Sequence, residues 1–193
     1  MDDILQQVTD FADRSHGAQM RRYTPERYIV HPVKVMEMCR HYNADLPVLA
    51  AALLHDVLED TPVTQEKMLQ FLQTIMEEAE ANKTTWLVVE LTDVYTKKEY
   101  SRWNRRKRKR NETLRIEKTS GDSQTVKYAD IIDNCQEIAV HDPKFAFVFL
   151  NECRLLLERM PKGHPGLYQR AIETVDNCLR QLPPARKRRN KMP

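Results

Sequence analysis

Leu53 to Thr61, read as LLHDVLEDT, decides how the rest of the chain is understood. It follows Leu46 to Leu54, a segment apolar almost all round with three consecutive alanines, Ala50 to Ala52, as expected of a helix buried in a domain. Read as one continuous helix, the stretch places Glu59 four residues after His55 and three after Asp56, with Asp60 four after Asp56. These polar groups then share one flank. Charges at the buried end of a helix need partners, because unpaired burial costs several kcal/mol per ion. A divalent cation compensates a cluster of carboxylates and a neutral imidazole, so further ligands are expected elsewhere in the chain.

Upstream, Asp45 before Leu46-Pro47 reads as the N-cap of this helix. His31-Pro32 opens another that runs to about His41. Residues 2 to 18 carry Ile4, Leu5, Val8, Phe11, Ala12 and Ser15 at helical spacing and end near Gly17. His16 at that end reads as a packing or capping group. In the loop between, Arg21 and Arg22 are adjacent. Such pairs are usually solvated, although arginine is also well suited to bidentate phosphate contact.

Downstream, Thr61-Pro62 stops the helix and Thr64 caps the next. An apolar pattern from Met68 to Leu91 predicts helix through Thr92, with a break at Asn82 to Thr85. Arg102 to Arg110 contains seven Lys or Arg, which on a helix wrap every face and form no single stripe. Gly121-Asp122-Ser123 marks a turn before TVKYADIIDNCQEIAV, where Asp130, Asp133, Asn134 and Glu137 recur at i, i+3, i+4 and i+7 as a polar stripe on an apolar helix. One more helix fits between Pro143 and the turn at Lys162 to Pro165, and a last one covers Leu167 to Leu182.

The 193 residues are 41% hydrophobic and 31% charged with only 4 glycines, which predicts one all-α domain over residues 1–183 and a basic, disordered tail over 184–193. No apolar run approaches the roughly 20 residues of a membrane span, and MDDILQQ lacks the basic-then-apolar order of a signal peptide. A cytoplasmic protein with no membrane partner is expected. Cys39, Cys135, Cys153 and Cys178 stand singly, which fits packing rather than disulfides or thiolate metal sites.

His31, His55, Asp56 and Asp130 come from three predicted helices and offer N and O donors, a set suited to Mn²⁺, Fe²⁺ or Zn²⁺. Four such ligands leave octahedral positions open to water and a phosphate oxygen, the arrangement of hydrolytic phosphoryl chemistry. Structural ion pairs also gather carboxylates around histidines, and the residues alone leave both readings open.

Three motifs occur together: HGAQMRRYTPERYIVHP from His16 to Pro32, LLHDVLEDT, and VKYADIIDN from Val126 to Asn134. Jointly they resemble the hydrolase half of RelA/SpoT-type enzymes over most of the chain, and in particular the stand-alone small alarmone hydrolases called MESH-like in animals. The resemblance implies an all-α HD-domain helical bundle, a manganese ion on His31, His55, Asp56 and Asp130, and removal of the 3′-pyrophosphate from ppGpp or pppGpp. It implies catalytic roles for Glu59, which orients or deprotonates water, and for Asp60, which supports it. It implies substrate contacts by Arg21, Arg22 and Asn134. Lys127 is a weaker phosphate contact, whose plain alternative is an exposed helix position.

The departures bear on the substrate. Arg22 and Arg27 stand where the family often has lysine and proline, and Glu137 stands where threonine is common near the nucleotide. A glutamate there repels polyphosphate unless it points away, pairs with an arginine or marks another substrate. FLQTIMEEAEANKTTW, residues 71–86, replaces a short helix-Phe-Gly turn and alters the expected pocket rim. Two alternatives follow: an HD-fold phosphatase for another nucleotide such as NADPH, and a non-catalytic module whose basic run and tail bind nucleic acid. The intact acidic and imidazole set disfavours the second.

Overall fold

The computed structural model describes residues 1–42 and 45–183. The expected tail lies outside them. Among the described residues the chain forms ten helices: α1 (Asp2–His16), α2 (Val30–Tyr42), α3 (Leu46–Leu54), α4 (Val57–Asp60), α5 (Gln65–Gln73), α6 (Glu78–Leu91), α7 (Arg105–Ile116), α8 (Gly121–His141), α9 (Pro143–Leu157) and α10 (Pro165–Gln181). None is long and apolar enough to cross a membrane.

All nine residues of α3 are buried, as its apolar sequence requires. Around it pack α1, α2 and α6, and α8 joins α2, α3 and α6 to the outer pair α9 and α10. α8 is the long central element. Its Tyr128 is fully buried and donates its hydroxyl to the Met160 carbonyl, while accepting from the Gly163 amide. A Cβ at Gly163 would lie 2.4 Å from the Tyr128 ring, so glycine is required where the 160–164 turn crosses α8. The four cysteines are free and buried, in keeping with packing roles.

Three boundaries differ from the sequence reading. The helix carrying LLHDVLEDT is interrupted at His55–Asp56, which separates α3 from α4. The His55 Nδ1 hydrogen-bonds the Ala52 carbonyl at 2.8 Å, the kind of side-chain to backbone bond that competes with a helix. The break expected at 82–85 falls instead at 74–77, since Thr84 and Thr85 are buried within α6. Gly121 opens α8 rather than forming a turn, because Ser120 caps that helix by accepting from the Ser123 amide. Asp45 occupies the N-cap position of α3 without capping it; its carboxylate pairs with Lys83 Nζ at 2.5 Å.

Candidate active site

The interruption between α3 and α4 turns His55 and Asp56 out of the helical repeat and toward the first turn of α2 and the middle of α8. His31 Nε2 then lies 3.7 Å from Asp56 Oδ2 and 3.2 Å from Asp130 Oδ1. His55 Nε2 lies 3.0 Å from Asp56 Oδ2 and 3.8 Å from Asp130 Oδ1. Ligand atoms of His31, His55 and Asp56 all fall within 4.8 Å of one another, which makes them a candidate metal centre faced by Asp130.

The donor chemistry fits a cation. With Nδ1 directed at the Ala52 carbonyl, a neutral His55 ring presents Nε2 as a lone pair. That buried nitrogen has no hydrogen-bond partner, although a carboxylate oxygen stands beside it. A lone pair facing an acceptor is repulsive until a proton or a metal ion comes between them. Burial lowers the imidazole's affinity for a proton, but Asp56 and Asp130 outweigh it and push His55 up to about 10. Proton and dication therefore compete for the same nitrogen. His31 is oriented likewise, with Nδ1 2.7 Å from Asp133 Oδ2 and Nε2 turned to the centre. Asp133 belongs to the polar stripe noted on this helix, yet its role behind His31 is visible only once the helices are packed.

Beside this centre opens a cavity of about 260 Å³. Its lining includes Tyr28, Asp56, Glu59, Asp60 and Asp130. Asp93, Lys109, Lys127, Asn134, Glu112 and Glu152 add further polar groups to the lining, and Ile116, Ile131, Phe149 and Leu156 supply apolar surface. The Tyr28 hydroxyl donates to Asp56 Oδ2 at 2.5 Å, and Asp60 accepts from Gln19, which is itself held by His16. His16 thus packs and supports, as its position suggested.

Glu59 keeps an open face toward the cavity and accepts the Asp93 amide at 3.2 Å. Partial burial, with Asp93 nearby, raises its carboxyl to about 7, in the range useful to a general base. Lys127 is not an exposed helix position: its Nζ is 2.9 Å from Asp130 Oδ2. Burial opposes its charge, but Asp130 and Asp93 overcome that and hold it protonated. Asn134 donates to Asp130 Oδ1 at 2.5 Å.

The adjacent arginines separate. Arg22 is exposed, over the Tyr23 ring at 5.1 Å. Arg21 is buried in ion pairs with Asp133 and Glu137 and does not line the cavity. Of the basic run, Arg105 pairs with Glu152 and Lys109 with Asp93, whereas Arg102, Arg106, Lys107 and Arg110 face outward. Asp93, Lys109 and Glu112 were not singled out from the sequence; only Lys109 carried a signal, as one cation among seven.

The profile of the HD domain family matches residues 9–146. The chain belongs to that family. This HD-domain chain is 41% identical over 88 residues to the guanosine-3′,5′-bis(diphosphate) 3′-pyrophosphohydrolase MESH1 of Homo sapiens, covering 42% of this chain and 49% of that protein. It is 42% identical over 64 residues to the guanosine-3′,5′-bis(diphosphate) 3′-pyrophosphohydrolase of Aquifex aeolicus, covering 33% of this chain and 9% of that protein. The chain therefore spans about half of the human relative and a small part of the bacterial one. Its fold is shared with a solved metazoan SpoT ortholog described as hydrolysing ppGpp, with a TM-score of 0.72, 24% identity, and coverage of 92% of this chain and 94% of that one.

Proposed function

We propose that this HD-domain chain is a manganese-dependent (p)ppGpp 3′-pyrophosphohydrolase. One observation carries the reading: the partnerless, buried Nε2 of His55 faces His31, Asp56 and Asp130 beside a cavity that holds both a raised glutamate and lysines. The sequence kinship with proteins named for that activity gives the substrate class.

His31, His55, Asp56 and Asp130 would hold the ion. When bound, a divalent cation neutralises phosphoryl charge and makes nearby water more acidic. The chain's own groups do the rest. Glu59 lines the cavity together with Asp56 and Asp130 and accepts a proton from the water that attacks phosphorus, while Asp60, fixed by Gln19, adds a second carboxylate to the lining. The new bond joins water oxygen to the phosphorus on the ribose 3′-oxygen; the bond to that oxygen breaks, and the oxygen takes a proton. GDP or GTP and pyrophosphate result. Lys127 and Lys109 supply positive charge to the cavity lining, and Asn134 offers an amide for ribose or phosphate. The apolar surface of Ile116, Ile131, Phe149 and Leu156 suits a base. Water attack is favoured because these groups are fixed before substrate arrives.

The test is product identity. Incubated with Mn²⁺ and ppGpp without added pyrophosphatase, the protein should release GDP and intact pyrophosphate, resolved by anion exchange, with no early orthophosphate. Intact ppGpp beside a parallel reaction in which NADPH gives NADH and orthophosphate would reassign the site to 2′-phosphate removal.

A further inference from the structure

Arg21 is a buried cation that the catalytic reading does not use. Its side chain, 5% exposed, reaches α8 from a tight loop fixed by its own amide bond to the Glu26 carbonyl. There Nη2 lies 2.8 Å from Asp133 Oδ2 and 2.6 Å from Glu137 Oε2, while Nε bonds Glu137 Oε1 at 3.2 Å. Asp133 and Glu137 stand one helical turn apart, so one guanidinium bridges both. The Asp133 oxygen that Arg21 touches is the same one that meets His31 Nδ1 at 2.7 Å.

We propose that Glu137 and Arg21 form a positioning relay that acts through Asp133 to orient His31 and strengthen its Nε2 as a donor to a divalent cation. The inference rests on the assignment of His31 as a metal ligand in the function proposed above.

Charge decides the direction of the effect. If Arg21 met Asp133 alone, it would cancel that carboxylate and compete with the imidazole for its oxygen. Glu137 takes the guanidinium through two nitrogens, and the three groups together keep one negative charge behind the ring. A carboxylate behind a ligating imidazole fixes its tautomer and makes the far nitrogen a better ligand. The same contacts keep Arg21 off the substrate, because reaching the cavity would break three charge-assisted bonds and strand the Glu137 carboxylate. Glu137 is thereby no obstacle to polyphosphate: its charge is paired away from the cavity.

The experiment titrates Mn²⁺ into the purified full chain and follows free ion by electron paramagnetic resonance. Glu137→Gln, nearly isosteric, and Arg21→Lys, which keeps the charge but cannot bridge two carboxylates, should each raise the Kd for Mn²⁺ by about 10-fold, within the roughly 10- to 100-fold span known for outer ligand partners. Glu137→Asp should recover most of the affinity. The ligand-field spectrum of the Co²⁺-loaded protein should change in the first two variants, a signature that general loosening of the fold does not give. Wild-type binding with unchanged affinity in both variants overturns the relay and leaves the metal site standing. Unchanged affinity with a raised KM for ppGpp overturns it in favour of Arg21 as a substrate contact. A wild-type chain that takes up no Mn²⁺ removes the metal reading and the relay together.

Discussion

Glu112→Gln tests whether α7 holds Glu59, the proposed general base, in place. Glu112 is 3% exposed and its carboxylate accepts three donors: the Val94 amide at 3.1 Å, the Tyr95 amide at 3.0 Å and Arg115 Nε at 2.5 Å. Glutamine keeps the shape but leaves one oxygen, so either the two amides or the guanidinium loses its acceptor and meets an NH₂ group instead. Hydrogen bonds to a charged group contribute about 1.5–3 kcal/mol each, and removing one partner of a buried ion pair costs roughly 3–5 kcal/mol. Arg115 keeps a bond to the Glu90 carbonyl and a side chain 21% exposed, which places the loss near the lower end, about 3 kcal/mol. For a chain of this size that corresponds to a Tm lower by roughly 6–12 °C. The same amides directly follow Asp93, whose N–H donates to Glu59, so kcat should fall while KM changes little. Circular dichroism melting and steady-state hydrolysis measure the two effects. A Tm within about 2 °C of the wild type would refute the reasoning.

His55→Ala and Asp130→Ala should each lose bound manganese and activity together, as metal analysis of the purified variants would show; full activity in either after exhaustive chelation sinks the ligand assignment. Glu59→Gln should keep its metal and fold but lose about 10²- to 10⁴-fold in kcat, since the amide cannot accept the proton; parallel loss of metal would make Glu59 a ligand. In chelated protein the raised carboxyl of Glu59, about 7, means the folded state holds a proton that the unfolded state releases at lower pH, so stability falls as pH rises toward and through 7. The melting temperature of Glu59→Gln relative to wild type should therefore rise between pH 5 and 8, and a constant difference contradicts this. Cys39 is fully buried and its thiol is pushed up to about 12 by burial, so iodoacetamide at neutral pH should leave it unmodified by mass spectrometry until the chain is unfolded.

The architecture was legible in the sequence where apolar spacing and caps agreed. α1, α2 and α10 follow directly from it, and the buried α3 follows from a segment with no polar face. His31, His55, Asp56 and Asp130 stood out in the sequence through the three motifs taken together, while the residue types alone left a structural ion-pair reading open. Less legible was anything created by a partner remote in sequence. That Asp133 serves His31, that Glu137 holds Arg21, and that Asp93 meets Glu59 depends on separations of 102, 116 and 34 residues, which no local pattern encodes. The break after Leu54 was missed for a related reason: propensity favours one continuous helix, and a side-chain bond to a backbone carbonyl overrides it.

The location of that break has a consequence for how the protein fails under stress. His55 and Asp56 hang from the end of a helix with no exposed residue, so they can be displaced only by opening the core itself. Glu59 and Asp93 line the cavity, and Val94 and the residues at 97–99 that follow Asp93 are exposed. Such regions open at lower free energy than core helices. Rising denaturant should therefore dismantle the protein in two stages: turnover disappears first as the segment after Asp93 loosens, and an ion loaded on His31, His55, Asp56 and Asp130 is released later, with the last of the tertiary structure.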